Sequence, residues 1–175
     1  GFTRSASADA GGPDTVAPGG GGDALEQAWV GDGAPLGASK PTAEAFRNRL
    51  DRAPADGDID ITVVCNDPEM REEGDVVSRV YGSRESLPFD LTVHHGLTVA
   101  ELRSELAEPA DFLHYIGHID GEGFECADGR LDTTSVERVG VDAFLLNACA
   151  SYEQGMALIE AGSIGGVVTL DEVVN

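Results

Sequence analysis

The sequence predicts an α/β domain, a three-layer α/β/α sandwich built on a mostly parallel sheet. Three observations carry that expectation. Short strand-like runs such as Ile59-Asp-Ile-Thr-Val-Val-Cys65 alternate with helical patterns along the chain. Two later runs, 111–118 and 143–149, are apolar over most of their length, as strands buried on both faces are. Helix-start signals lie between the runs, so consecutive strands are joined by crossovers, which parallel pairing requires.

Residues 1–23 are rich in Gly, Ala, Ser, Asp and Pro and end in Gly19-Gly-Gly-Gly22. Such a segment buries too little surface to order itself and is expected to be a linker. Residues 24–57 read as an N-terminal extension. It holds the single tryptophan, Trp29, a turn at Gly31-Asp-Gly33 that suits a short strand or hairpin, and a helix over 42–52. Ala43, Phe46 and Leu50 recur at helical spacing, which marks them as that helix's buried face.

Residues 58–175 form the expected main domain. Its first strand is 59–65, bounded by Gly57 and Asn66-Asp-Pro68. A helix ending near Tyr81 follows, with Val76, Val77 and Val80 turned inward and Gly82 as its stop. The next strand is 89–94. Thr98 and Glu101 then make a capping box, flanked by Leu97 and Leu102 as a hydrophobic staple. That helix ends at Ala107, before Pro109. Strand 111–118 leads into a hairpin, Gly123–Cys126 against Arg130-Leu131, turning at Asp128-Gly129. A short helix is expected from Thr134 with Glu137 as box partner, then strand 143–149. Ser151 and Gln154 suggest another capping box on a helix reaching Ala161, and 165–170 is the last strand. The chain opens on Gly and closes on Asp-Glu-Val-Val-Asn, so it reads as a fragment of a longer protein.

Acidic residues outnumber basic ones 32 to 11, for a net charge of −21, and Lys40 is the single lysine. Such charge repels nucleic-acid phosphates and anionic membranes, so neither is an expected partner. One reading is an acidic patch for a basic partner. The other is adaptation to molar salt, where dense carboxylates keep the surface hydrated and screening lengths fall to about 3 Å. The acids are scattered rather than blocked, which favours the second. Cys65, Cys126 and Cys149 are odd in number and widely separated, which suits a reducing, cytoplasmic setting rather than a disulfide framework.

The chemistry-bearing residues are His118 and Cys149. Each ends an apolar run and opens into polar, Gly-containing sequence. If the two runs lie side by side, both residues emerge at one sheet edge, with strand axes about 4.8 Å apart. That is the arrangement of a general base and its nucleophile. Cys149 also precedes a helix start, whose N–H groups and dipole favour a thiolate. The plain alternative is a small buried cysteine. Asp120 or Glu122 could orient His118, or each could be one more exposed acid. His114 reads as a core or supporting histidine, and Asn147 as a further supporting residue. His94, His95, His114, His118, Cys126 and Cys149 offer metal donors, but none has the tight spacing of a zinc site, so no metal is expected. Asp56-Gly-Asp-Ile-Asp60 is half of a calcium loop at most and reads as a solvated turn. No phosphate-cradling Gly loop and no G-x-S-x-G elbow occurs, and no cofactor is expected.

His114-Tyr-Ile-Gly-His118, the Asp-Gly hairpin, Leu145-Leu-Asn-Ala-Cys149-Ala-Ser151 and Ala161-Gly-Ser-Ile-Gly-Gly-Val-Val-Thr-Leu170 follow one another in that order. In this the chain resembles the CHAT family of caspase-like proteins, within the caspase–hemoglobinase clan that includes separase. The resemblance spans about residues 58–175. It implies a caspase-like sandwich, truncated at its C-terminus, and a cysteine endopeptidase acting on protein or peptide substrates. It assigns Cys149 as nucleophile and His118 as base, with an oxyanion held by the backbone N–H groups of Cys149 and Ile119. The family commonly has Gly after this histidine, where this chain has Ile119. The acidic, lysine-poor composition looks like that of a halophilic archaeal member. The alternative within the same resemblance is a catalytically inactive interaction module with a companion domain in the same chain.

Overall fold

The β-branched run after Gly57 becomes an interior strand of a parallel sheet. The computed structural model describes residues 15–16, 34–35, 41–53, 57–68, 70 and 89–170. The chain divides into two compact units, Gly1–Thr42 and Ala43–Asn175. In the first, Thr15–Val16 pairs antiparallel with Ala34–Pro35, so the span expected to be linker contains a short strand. The Trp29 region and the helix expected to end near Tyr81 lie outside the described residues.

The second unit begins with helix α1 (Ala43–Asp51). Strand β1 (Ile59–Cys65) follows, then β2 (Phe89–His95), helix α2 (Val99–Ala107) and β3 (Ala110–Ile116). Three short strands come next: β4 (Ile119–Asp120), β5 (Gly123–Cys126) and β6 (Gly129–Leu131). Strand β7 (Val141–Asn147), helix α3 (Tyr152–Glu160) and β8 (Gly165–Val167) are the last elements among the described residues.

The main sheet has the order β8-β7-β3-β1-β2, and every pairing in it is parallel. The central strands β1 and β3 carry consecutive buried residues, so both of their faces are covered, since successive side chains alternate between faces. Val64, Leu113, Tyr115, Phe144 and Leu146 pack with Leu102 and Leu106 of α2 and with Leu158 and Ile159 of α3. Ile61, Val63, Cys65 and Ile116 form a second cluster with Phe89, Leu91, Val93 and Phe112. Burying a side chain of this kind is worth about 2 kcal/mol, so the two clusters dominate the unit's stability. The fold is α/β with a parallel central sheet flanked by helices, consistent with a caspase-like three-layer sandwich. β4, β5 and β6 form a separate antiparallel sheet, one strand more than the expected hairpin.

Helix α1 departs from expectation. Phe46 and Leu50 are 63% and 69% exposed, and Ala43 is exposed too. The inward face instead carries Ala45, Asn48 and Arg52. Asn48 Nδ2 donates to the carbonyls of Ile159 (2.7 Å) and Ser163 (2.9 Å). The Arg52 guanidinium donates to Gly140, Val139 and Gly162 carbonyls and pairs with Asp142 at 2.9 Å. Polar groups anchored on backbone carbonyls, rather than the apolar stripe, set this helix's rotation.

Helix caps are mixed. Thr98 and Glu101 form the expected capping box on α2. The helix expected from Thr134 is one 3₁₀ turn, Thr133–Ser135, capped by Asp132 rather than boxed by Glu137. Ser151 occupies the N-cap position of α3 without a side-chain cap bond. Its hydroxyl accepts from Thr169 N instead (3.0 Å). Gln154 Oε1 accepts from Thr133 N (2.8 Å) and Thr133 Oγ1 (2.6 Å). Both members of the expected box are taken by partners distant in sequence.

Candidate active site

Open parallel sheets bind ligands beyond the carboxyl ends of their strands, at the point where strand order reverses. Here the chain leaves β1 outward to β2, and later strands build away on the other side through β3. The reversal therefore lies between β1 and β3. Asn66 and Asp67 emerge there from β1, and Gly117 and His118 from β3. Asn66 N donates to Ile116 O at 3.0 Å and carries the β1–β3 pairing to the edge.

The strands end two residues earlier than the sequence suggested. β3 stops at Ile116 and β7 at Asn147, and these two residues are register partners. Gly117 N still donates to Asn147 O at 3.4 Å, the last bond before the chains separate. His118 and Cys149 thus each lie two residues beyond one paired position, on adjacent parallel strands, at one end of the sheet.

His118 has a partner that sequence reasoning missed. Its Nε2 lies 3.1 Å from Asp67 Oδ2, with the His118 side chain 63% exposed and Asp67's only 8% exposed. A buried carboxylate on Nε2–H fixes the ring's tautomer and orientation, and leaves Nδ1 to accept a proton. Asp120 is engaged elsewhere: its carboxylate pairs with Arg130 at 3.1 Å and accepts from Glu122 N. The signal for Asp67 was present in the sequence. Asn66-Asp-Pro68 directly follows the first strand, which is the edge where ligand-facing residues gather.

The loop carrying His118 is supported from below. The Tyr115 hydroxyl reaches the carbonyls of Glu125 (2.9 Å) and His118 (3.2 Å), and Glu125 N donates to His118 O at 2.9 Å. A Cβ at position 117 would meet the Tyr115 hydroxyl at 2.9 Å, so Gly117 is what lets the chain lie across this ring. Burial, with nearby Cys126 and Glu125 adding to it, pushes the Tyr115 phenol far above its ordinary value. The shift favours the protonated phenol, which can donate to these carbonyls. Ile119 is buried in the core and pairs with Phe124 across β4 and β5. The larger residue after the histidine is thus accommodated by packing.

Cys149 is half-buried and sits on the turn between β7 and α3. Ala150, next to it, has φ +46, the one non-glycine in the left-handed region among the described residues. A left-handed alanine costs about 1 kcal/mol, and such strain gathers at functional turns. Cys149 stands on the turn between β7 and α3, next to this left-handed residue, and belongs to neither element. By contrast Cys65 and Cys126 are buried, and burial, reinforced by Asp128, pushes the Cys126 thiol up to about 11.

His114 lies deep in the sheet, beside Val63 and Leu145, and burial lowers its pKa, which favours the neutral form. Asn147 ends β7 beside the site. Among the described residues no three His, Cys, Asp or Glu side chains cluster as a metal site requires. Nor is any described helix long and apolar enough to cross a membrane. Comparison with protein-family models and with curated proteins finds no match to this chain.

Proposed function

We propose that this chain is a caspase-like cysteine endopeptidase with Cys149 as nucleophile, His118 as base and Asp67 as the residue that orients the base. The observation behind this reading is the pairing of Ile116 with Asn147, which sets His118 and Cys149 at equivalent steps past two adjacent parallel strands. The buried Asp67 carboxylate on His118 Nε2 adds to it.

His118 Nδ1 takes the thiol proton, and the Cys149 sulfur attacks the peptide carbonyl. Negative charge develops on the carbonyl oxygen, where the backbone N–H groups of Cys149 and Ile119 receive it. Each such donor is worth about 3 kcal/mol in the transition state. The imidazolium, stabilised by Asp67, gives its proton to the leaving amine. Water, deprotonated by His118, then hydrolyses the thioester and restores the thiol. No step calls for a cofactor or metal. With this reading we also propose a cytoplasmic member of the CHAT group from a salt-adapted organism.

The test is a peptidyl ketone probe that alkylates activated cysteines, with peptide hydrolysis measured in parallel at molar salt. The expected result is labelling at Cys149 and peptide cleavage, both lost in Cys149→Ala and His118→Ala. Equal labelling of the Cys149→Ala protein would overturn the assignment. So would a folded parent that neither labels nor cleaves, which would favour the inactive interaction module.

A further inference from the structure

We propose that Thr169 is a positioning residue for Cys149, holding both flanks of the turn that carries the thiol. Its role in peptide cleavage rests on the peptidase reading above; its effect on the thiol does not.

Thr169 lies two residues beyond β8, and its contacts converge on the residues either side of the corner. Its hydroxyl donates to Ala148 O. Its backbone N–H donates to Ser151 Oγ at 3.0 Å, and the two hydroxyl oxygens are 3.3 Å apart. A threonine hydroxyl carries one proton. That proton goes to Ala148, so Ser151 is the donor between the two hydroxyls. The result is a closed set: Ser151 Oγ–H to Thr169 Oγ1, Thr169 Oγ1–H to Ala148 O, and Thr169 N–H to Ser151 Oγ. Bonds linked in this way polarise and strengthen one another.

Between the two held residues stand Cys149 and the left-handed Ala150. A strained backbone persists only where its surroundings over-determine it. Thr169 supplies that constraint from outside the turn. Ser151 is fully buried and forgoes the helix cap it could have made, which shows how completely its hydroxyl is committed here. Val168 packs into the space beside Gly155 of α3, where a Cβ would meet it at 2.5 Å, and so fixes the register of Thr169 against the helix.

A threonine that merely fastened the end of β8 would affect stability and leave the thiol unchanged. Thr169→Val keeps the shape and removes the hydroxyl; Thr169→Ser keeps the hydroxyl and removes the methyl. The experiment is alkylation by iodoacetamide, followed site by site with peptide mass spectrometry, so that the buried Cys65 and Cys126 report unfolding in the same sample. Thr169→Val is expected to slow Cys149 alkylation about fivefold, and to lower kcat for peptide cleavage about tenfold with KM unchanged. Thr169→Ser is expected to stay within about twofold of the parent on both measures. If Thr169→Val exposes Cys65 and Cys126, Ser151→Ala replaces it, with the same slowing expected. A Cys149 rate in a folded Thr169→Val or Ser151→Ala protein equal to the parent's overturns the proposal, as does Thr169→Ser being impaired as much as Thr169→Val. A parent that cleaves no peptide sinks the peptidase reading, while the alkylation comparison still decides the role of Thr169.

Discussion

Replacing Asp67 with asparagine isolates the charge that faces His118. The two side chains keep nearly the same shape, so the change removes a negative charge and little packing. At the 3.1 Å separation of Oδ2 and Nε2, Coulomb attraction between the carboxylate and an imidazolium is about 5 kcal/mol at an effective dielectric of about 20, and about 1 kcal/mol in bulk water. The His118 side chain is 63% exposed, which moves the figure toward the aqueous limit. On the proposed peptidase mechanism, taking about 2 kcal/mol for the stabilisation of the imidazolium formed in the transition state, the rate should fall about 30-fold. The assay is kcat/KM for peptide cleavage at fixed salt, beside Asp120→Asn. Asp120 is held by Arg130, so its variant should stay within about threefold of the parent. An Asp67→Asn enzyme as fast as the parent, or an Asp120→Asn enzyme as slow as Asp67→Asn, would refute the assignment of the orienting carboxylate.

Further outcomes follow from packing and titration. Gly166→Ala would place a Cβ 2.1 Å from the buried Phe144 ring, so urea unfolding should show a loss of about 1–3 kcal/mol. At Gly121 no atom lies within reach of an added Cβ, and Gly121→Ala should change stability by no more than about 0.5 kcal/mol. In α1, Asn48→Ala should cost about 1–2 kcal/mol for two lost bonds to backbone carbonyls, while Phe46→Ser should change thermal stability little. His114 has a pKa lowered by burial, so the unfolded chain binds its proton more readily than the folded one. Its contribution is complete above the ordinary value of 6.5 and is lost as pH falls below it. Unfolding midpoints followed from pH 8 to 5 should therefore drop, and His114→Gln should flatten that drop.

The strand runs were legible because β-branched and apolar residues there are bounded by Gly, Pro and Asn, and the parallel order followed from the alternation with helices. What escaped was set by long-range partners. The apolar stretches at 111–118 and 143–149 continue past the last ladder bonds, so local hydrophobicity overran both strand ends. Helical spacing put Phe46 and Leu50 inward, yet carbonyls at the starts and ends of other elements drew Asn48 and Arg52 in and turned the helix over. Ser151-x-x-Gln154 has the form of a capping box as fully as Thr98-x-x-Glu101 does. Only the second formed, because Thr169 and Thr133 take the side chains of the first. At the site, His118 and Cys149 stood out as reactive residues ending apolar runs. Asp67 did not: its place just past the first strand was readable, but its pairing with His118 depends on β1 lying beside β3, a neighbour relation that no local pattern encodes.

That neighbour relation has a consequence for how the proposed site would assemble. Asp67, His118 and Cys149 follow three strands whose contacts all span long stretches of chain, and β3 must dock on both β1 and β7 before all three share one end of the sheet. Loop closures of that length are slow, so on the proposed assignment the three side chains come together only after both pairings have formed. Half-formed chains emerging during synthesis would then be inert. A molecule that grips the finished edge would in turn raise the melting temperature of the whole sheet.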